Sequence, residues 1–196
     1  MQKKPTFFLL ALIAVCFELN ASNFYTSSAG NWTAVSNWVS NKNPGNYWGV
    51  GDTVFVNHAM TLNANIGFAG VLIISSSGSL TGTARNLSLY NNAYALFEGA
   101  VSVQDIALNS KSSVDATATV AGRNLDIQTG SSFNTTKSVT LSGNLEVNDG
   151  TFSSTSSLSV SGDFEINSGG TANISGAVVV GNDMTLNSST NSTFGS

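Results

Sequence analysis

At 196 residues, with seven Lys and Arg against eleven Asp and Glu, the chain carries a formal net charge of −4, and only 9% of its residues are charged. That balance lacks the basic footprint nucleic acid demands, and no polybasic or amphipathic helical stretch marks a membrane-surface protein. Two prolines and long runs of Val, Thr, Ser and Gly leave little room for helix, so the composition is that of an all-β, exported surface protein.

The first element is a secretion signal over residues 1–22. Lys3 and Lys4 form its charged region, Phe7 to Phe17 its apolar region, and Leu19-Asn20-Ala21 a cleavage tripeptide. The apolar run is too short to span a bilayer, so no membrane span is expected in the mature chain. Cys16 ends the apolar run in the manner of a lipidated cysteine, but it follows Val15, where such signals favour Gly, Ala or Ser. Cleavage after Ala21 would leave a mature chain with neither disulfide nor thiol nucleophile.

Residues 23–70 read as a Trp-rich N-terminal cap. All three tryptophans lie here, Trp32, Trp38 and Trp48, with Phe24, Tyr25 and Tyr47 beside them. Gly51-Asp52-Thr53-Val54-Phe55-Val56, Met60-Thr61-Leu62 and Val71-Leu72-Ile73-Ile74 read as strands leading onward. A repeating β-structure needs its first apolar cross-section covered, which gives the aromatics a structural role. The sharper reading makes Trp32, Trp38, Trp48 and Tyr47 an exposed platform on which sugar rings of a glycan would stack. His58, the single histidine, has only Asp52 as an acidic neighbour in sequence and reads as a surface or strand-edge residue.

Residues 71–196 repeat one short phrase. Leu87, Ile106, Leu125, Leu145, Phe164 and Met184 follow one another at steps of 19, 19, 20, 19 and 20 residues, each opening an apolar-x-apolar pair. A second pair precedes the phrase (Val101 and Val103, Val139 and Leu141, Leu158 and Val160, Val178 and Val180), and a third apolar position follows it at Val114, Phe133 and Phe152. Three short strands per repeat, joined by Ser-Gly, Asp-Gly, Thr-Gly or Ser-Ser turns, make a parallel β-helix with coils stacked about 4.8 Å apart. A leucine-rich repeat has a similar period but needs apolar residues after its Asn, where this chain has Ser, Thr, Gly and Asn. The predicted interior includes Leu125, Ile127, Leu145, Val147, Phe164, Ile166, Met184 and Leu186.

Two polar columns follow from that period. Asn109, Gln128, Asn148, Asn167 and Asn187 recur at one place and are expected to stack as an amide ladder between coils. Asp126, Glu146 and Glu165 occupy the outward position of three successive coils, flanked by Ala107 and Thr185. Carboxylates roughly 5 Å apart read as a solvated acidic stripe, with weak Ca²⁺ binding as the alternative because hard cations take carboxylate oxygens. No other cofactor is indicated. Seven Asn-x-Ser/Thr triplets, beginning at Asn20, Asn31, Asn86, Asn134, Asn173, Asn187 and Asn191, are what a chain this rich in Asn, Ser and Thr supplies by chance.

The order of Gly-Asn-Trp, Asn-Trp, Asn-Pro-Gly and Gly-Asp-Thr-Val, followed by Gly-Asn-Leu-x-(Ile or Val) coils, resembles the openings of large exported adhesin-like β-solenoid proteins of Bacteroidota. The 19-residue coil is similar to that of filamentous-haemagglutinin-type adhesins, and the Trp/Gly-Asp entry resembles the G8 domain. The resemblance implies a right-handed parallel β-helix on the surface of, or secreted by, a Gram-negative bacterium, acting in adhesion or as a scaffold without catalysis. It implies partners among glycans or other cell-surface components.

The other function class is a polysaccharide-binding module or a polysaccharide-degrading β-helix enzyme. Glycoside hydrolysis needs two carboxylates across a cleft, and lyase chemistry needs Ca²⁺ ligands and a base. Uniform coils without long loops build no such cleft, which favours the non-catalytic reading. The sixth repeat reaches Thr193-Phe194-Gly195 without a cap signature, so the chain is expected to be an N-terminal fragment of a longer adhesin or to associate end to end.

Overall fold

The computed structural model describes residues 21–187 and 192–195; residues 1–20 of the signal segment, with Cys16 and Asn20, and Asn191 lie outside them. The architecture is a parallel β-solenoid with coils of about 20 residues. Among the described residues three sheets hold nine, eight and eight strands, and every strand pair is parallel. Sheet 1 runs from Asn23–Tyr25 to Thr193–Phe194, sheet 2 from Gly30–Asn31 to Val178–Val180, and sheet 3 from Tyr47–Trp48 to Met184–Leu186.

Alternation along each strand makes the core. Sheet 3 stacks Ile66, Leu87, Ile106, Leu125, Leu145 and Phe164 in one inward column, all buried. Sheet 1 stacks Val54, Leu72, Ala95, Val114, Phe133, Phe152 and Ala172. The two rings of the column, Phe133 and Phe152, stack on each other at 5.8 Å, with the smaller Val114 and Ala172 on either side of the pair. Burial of each Val, Leu, Ile or Phe side chain in these columns contributes about 1.5–3 kcal/mol. Met184 and Leu186 take their expected register, yet both are exposed, because no described strand of sheet 3 lies beyond theirs. The predicted interior is thus correct in register for all eight residues and in burial for six.

The coils begin earlier than residue 71. Thr53–Val56, Ala59–Thr61 and Ile66–Phe68 form a complete coil within the same three sheets, and Asn23–Tyr25 already pairs with Thr53–Val56. What is set apart is the loop between Gly30–Asn31 and Tyr47–Trp48, which carries two short 3₁₀ turns, Val35–Asn37 and Val39–Asn41. From Val71 to Leu186 the connections run only one to four residues.

Two corners show how so short a connection is made. Between sheets 3 and 1, Asn91-Asn92, Ser110-Lys111, Thr129-Gly130 and Ser168-Gly169 all take positive φ, the left-handed turn that Asn and Gly accept most readily. Between sheets 1 and 2, the Thr135 hydroxyl donates to the Lys137 carbonyl (2.8 Å) and accepts the Lys137 N–H (3.1 Å). Ser154 does the same with Ser156 one coil later, so each inward hydroxyl is satisfied by its own turn.

The side-chain ladder between coils is not where the sequence places it. Gln128 donates to Asp126, Asn148 to Glu146 and Asn167 to Glu165, each within its own coil at 2.6–3.1 Å. A carboxylate two residues away on the same face competes better for the amide than the next coil does, since charge-assisted bonds are the stronger. The two members of this column whose coils lack the acid do reach the preceding coil. Asn109, with Ala107 in the acid's place, donates to the Leu89 carbonyl at 3.5 Å, and Asn187, with Thr185 there, to the Asn167 side-chain oxygen at 3.0 Å. The working ladder stands instead at the start of the phrase. Asn124 Oδ1 accepts the Asn144 N–H (2.9 Å), Asn144 Oδ1 the Asp163 N–H (3.0 Å) and Asp163 Oδ1 the Asp183 N–H (3.3 Å).

Candidate functional site

The N-terminal aromatics divide by strand alternation. On Tyr47–Trp48, Trp48 points inward and Tyr47 outward. Trp48 stacks on Phe68 at 4.6 Å and 4°, Trp32 stacks on Trp48 at 5.7 Å, and Trp38 meets Trp32 edge-on at 4.9 Å. The pile closes the first coil, with Trp32 Nε1 donating to the Gly45 carbonyl and Trp38 Nε1 to the Trp32 carbonyl, both at 2.8 Å. Trp32, Trp38 and Trp48 are only 0%, 1% and 6% exposed. Of the two readings of these aromatics, the cover over the core's end is the one formed: it takes three of the rings, and the exposed four-ring platform is not assembled. Trp48 Nε1 is buried without a hydrogen-bond partner among the described residues.

Tyr47, at 75% exposure, remains on the surface. Its ring lies over Gly67 in the next coil, and Tyr90 reaches the same glycine from the other side. A Cβ there would meet Tyr47 Cε1 at 2.9 Å and Tyr90 Cε2 at 3.1 Å, so the absent side chain makes room for both rings. Tyr90 was missed in the sequence. Its signal was register: Leu89 pairs with Leu108, which places Tyr90 in the column of Asn109 and Gln128.

Asp126, Glu146 and Glu165 do form one outward stripe on sheet 3, in direct register with Ala107 before them and Thr185 after. The spacing is that of stacked strands, about 4.8 Å. Beside it lies a shallow hollow of about 340 Å³ bounded by Asp105, Ala107, Asn124, Asp126, Asn144 and Glu146. Burial, and secondarily the Glu146 charge, push the Asp126 carboxyl above its ordinary value, against the opposing hydrogen bond from Gln128. Its Oδ1 is buried and has no hydrogen-bond partner among the described residues, the other oxygen being held by Gln128 at 2.6 Å. Arg123 forks onto Asp105 at 3.1 and 2.8 Å at the rim, an exposed pair of small energetic weight.

This stripe is a row and not a chelate. Among the described residues no group of three or more His, Cys, Asp or Glu is arranged to hold a metal ion. His58 is tied elsewhere, its Nδ1 lying 3.1 Å from the Thr26 hydroxyl, while Asp52 accepts the Ser22 and Gly49 N–H groups at 2.9 and 3.1 Å. Among the described residues no helix is long and apolar enough to cross a membrane. Comparison with protein-family models, curated proteins and solved structures finds no match to this chain.

Proposed function

We propose that the chain is an exported β-solenoid of a Gram-negative bacterial surface, a structural or adhesive protein without catalysis. The observation that carries this reading is the way its polar side chains are spent. The acids of the sheet 3 stripe are tied to amides of their own coils, and the corner residues Asn124, Asn144 and Asp163 bond the next coil. The periodic polar chemistry serves the stacking itself, as an extended scaffold requires. The apolar signal at the N-terminus and the low charge support export.

The resemblance to adhesin-type solenoids supports the surface role and adds glycans or other surface components as partners. The test is protease shaving of intact cells producing the full chain, combined with adhesion of beads coated with the purified protein. Release of the protein by shaving and specific bead retention are expected. A chain found only inside the cell overturns the reading.

A further inference from the structure

One outward column of sheet 1 runs the length of the solenoid without a break. Register aligns Tyr25, Phe55, Ile73, Leu96, Asp115, Asn134, Ser153, Asn173 and Thr193. The first four are apolar or aromatic and half-buried or exposed, and Tyr25 and Phe55 stack at 4.6 Å and 4°. The last five are short and polar, and they line an open groove of about 650 Å³ together with Thr136, Thr155 and the exposed ring of Phe194, so that hydroxyls and amides share the groove with apolar surface. Nine stacked strands give the track a length of roughly 38 Å, and a groove of this volume lies within the range of ligand sites.

The chemistry of the track selects its occupant. Among the described residues lining the groove, Asp115 is the one charged group, and both its oxygens are engaged, by the Tyr94 hydroxyl at 3.1 Å and the Asn134 amide at 3.0 Å. No lysine or arginine among them would neutralise an acidic ligand. Ser, Thr and Asn each both donate and accept, which matches hydroxyl groups. The interior strands of sheet 1 are paired on both sides, so this face offers no backbone edge to which a peptide could add as a strand. A sugar chain presents C–H faces that suit Tyr25, Phe55, Ile73 and Leu96, and hydroxyl edges that suit the groove.

We propose that the outer face of sheet 1 binds an extended, uncharged polysaccharide chain lying along the solenoid axis. The proposal rests on the surface-adhesive reading and names its ligand class and binding face. The test is affinity electrophoresis and pull-down of the purified full chain with neutral polysaccharides, acidic polysaccharides and an extended peptide library. Retention by at least one neutral polysaccharide is expected, weakened tenfold or more in Ser153→Arg, which fills the groove, and in Tyr25→Ala, which removes an apolar contact. Ser159→Arg, outward on sheet 2, carries the same charge change and should bind like wild type; circular dichroism verifies that all three variants fold.

Absence of neutral-polysaccharide binding, binding confined to acidic glycans or peptides, or undiminished binding by folded Ser153→Arg and Tyr25→Ala overturns the proposal. Bead adhesion that persists in Ser153→Arg removes this groove as the adhesive face and leaves the surface role standing. Export is read separately by shaving, so failure of the two readings is distinguishable.

Discussion

Asn144 and Asp163 occupy the same corner of consecutive coils, and the Asn144 side-chain oxygen accepts the Asp163 backbone N–H at 3.0 Å. The Asn144 N–H is in turn held by Asn124 at 2.9 Å. Asn144→Ala leaves the Asp163 N–H to solvent and should cost about 1 kcal/mol, or a fall in Tm of about 2–4 °C for a chain of this size. Asn144→Asp keeps an acceptor in place and should cost less. Thermal melts of the two variants check the order; equal losses would mean that the side-chain oxygen is not what matters.

Leu145 is buried between Leu125 and Phe164 in the inward column of sheet 3. Leu145→Asp would place a charge in a core with no partner for it, among the costliest of single substitutions. Since each coil touches its neighbours along the stack, protection should be lost over several coils on either side. Hydrogen exchange read by segment should show loss centred on 120–170, with the Trp-capped end retained longest. A melt confined to residues 145–148 would contradict this.

The repeat was legible because the inward columns of sheet 3 are apolar in every coil, and one period specifies them from Leu87 to Met184. The ladder was harder, since both the leading and the trailing Asn recur with the same period, and only geometry decides which reaches the next coil. The capping role of the tryptophans was legible from the need to cover the first apolar cross-section, and strand alternation separates Tyr47 from Trp48. Which rings stack on which was not legible, because it depends on how the loop after Asn31 folds Trp32 and Trp38 back over the end of the core. The sheet 1 track escaped notice because its residues are chemically unlike: Tyr25, Leu96 and Asn173 share a column only once register is known.

Asp126 gives a pH dependence of definite sign. Its folded-state pKa is raised, chiefly by burial, so the folded chain holds this proton more tightly than the unfolded one. The stabilisation from that proton is complete below the ordinary aspartate range and is lost as pH rises through the raised value. Asp126→Asn should therefore melt higher than wild type near neutral pH, and the difference should shrink as pH falls through that window. A constant difference across pH would show that burial does not perturb this carboxyl.

The acidic stripe should ignore calcium. Glu146 and Glu165 each have an oxygen occupied by the amide two residues on, and their neighbour Asp126 is half-buried. Millimolar Ca²⁺ should produce neither binding heat in calorimetry nor a shift in Tm. A saturable heat abolished by Glu146→Gln would establish a site instead.

Val179, Met184, Leu186 and Phe194 are exposed on the last described coil, with Leu186 at 54%. The chain as given should self-associate through this surface in a concentration-dependent way. Light scattering at tens of micromolar should report assemblies larger than a monomer, reduced in the double variant Val179→Thr and Leu186→Ser. A stable monomer for the unsubstituted chain would count against it.

The hydrogen bonds joining successive coils lie along the solenoid axis, so tension applied between the two ends meets them one coil after another. Each released coil of about 20 residues pays out roughly 70 Å of chain where it had occupied about 4.8 Å of axis. Such a fibre yields at modest force over a long distance, unravelling from an end while the remaining coils keep their form. In the surface-adhesive role proposed above, that would be compliance without rupture of the grip.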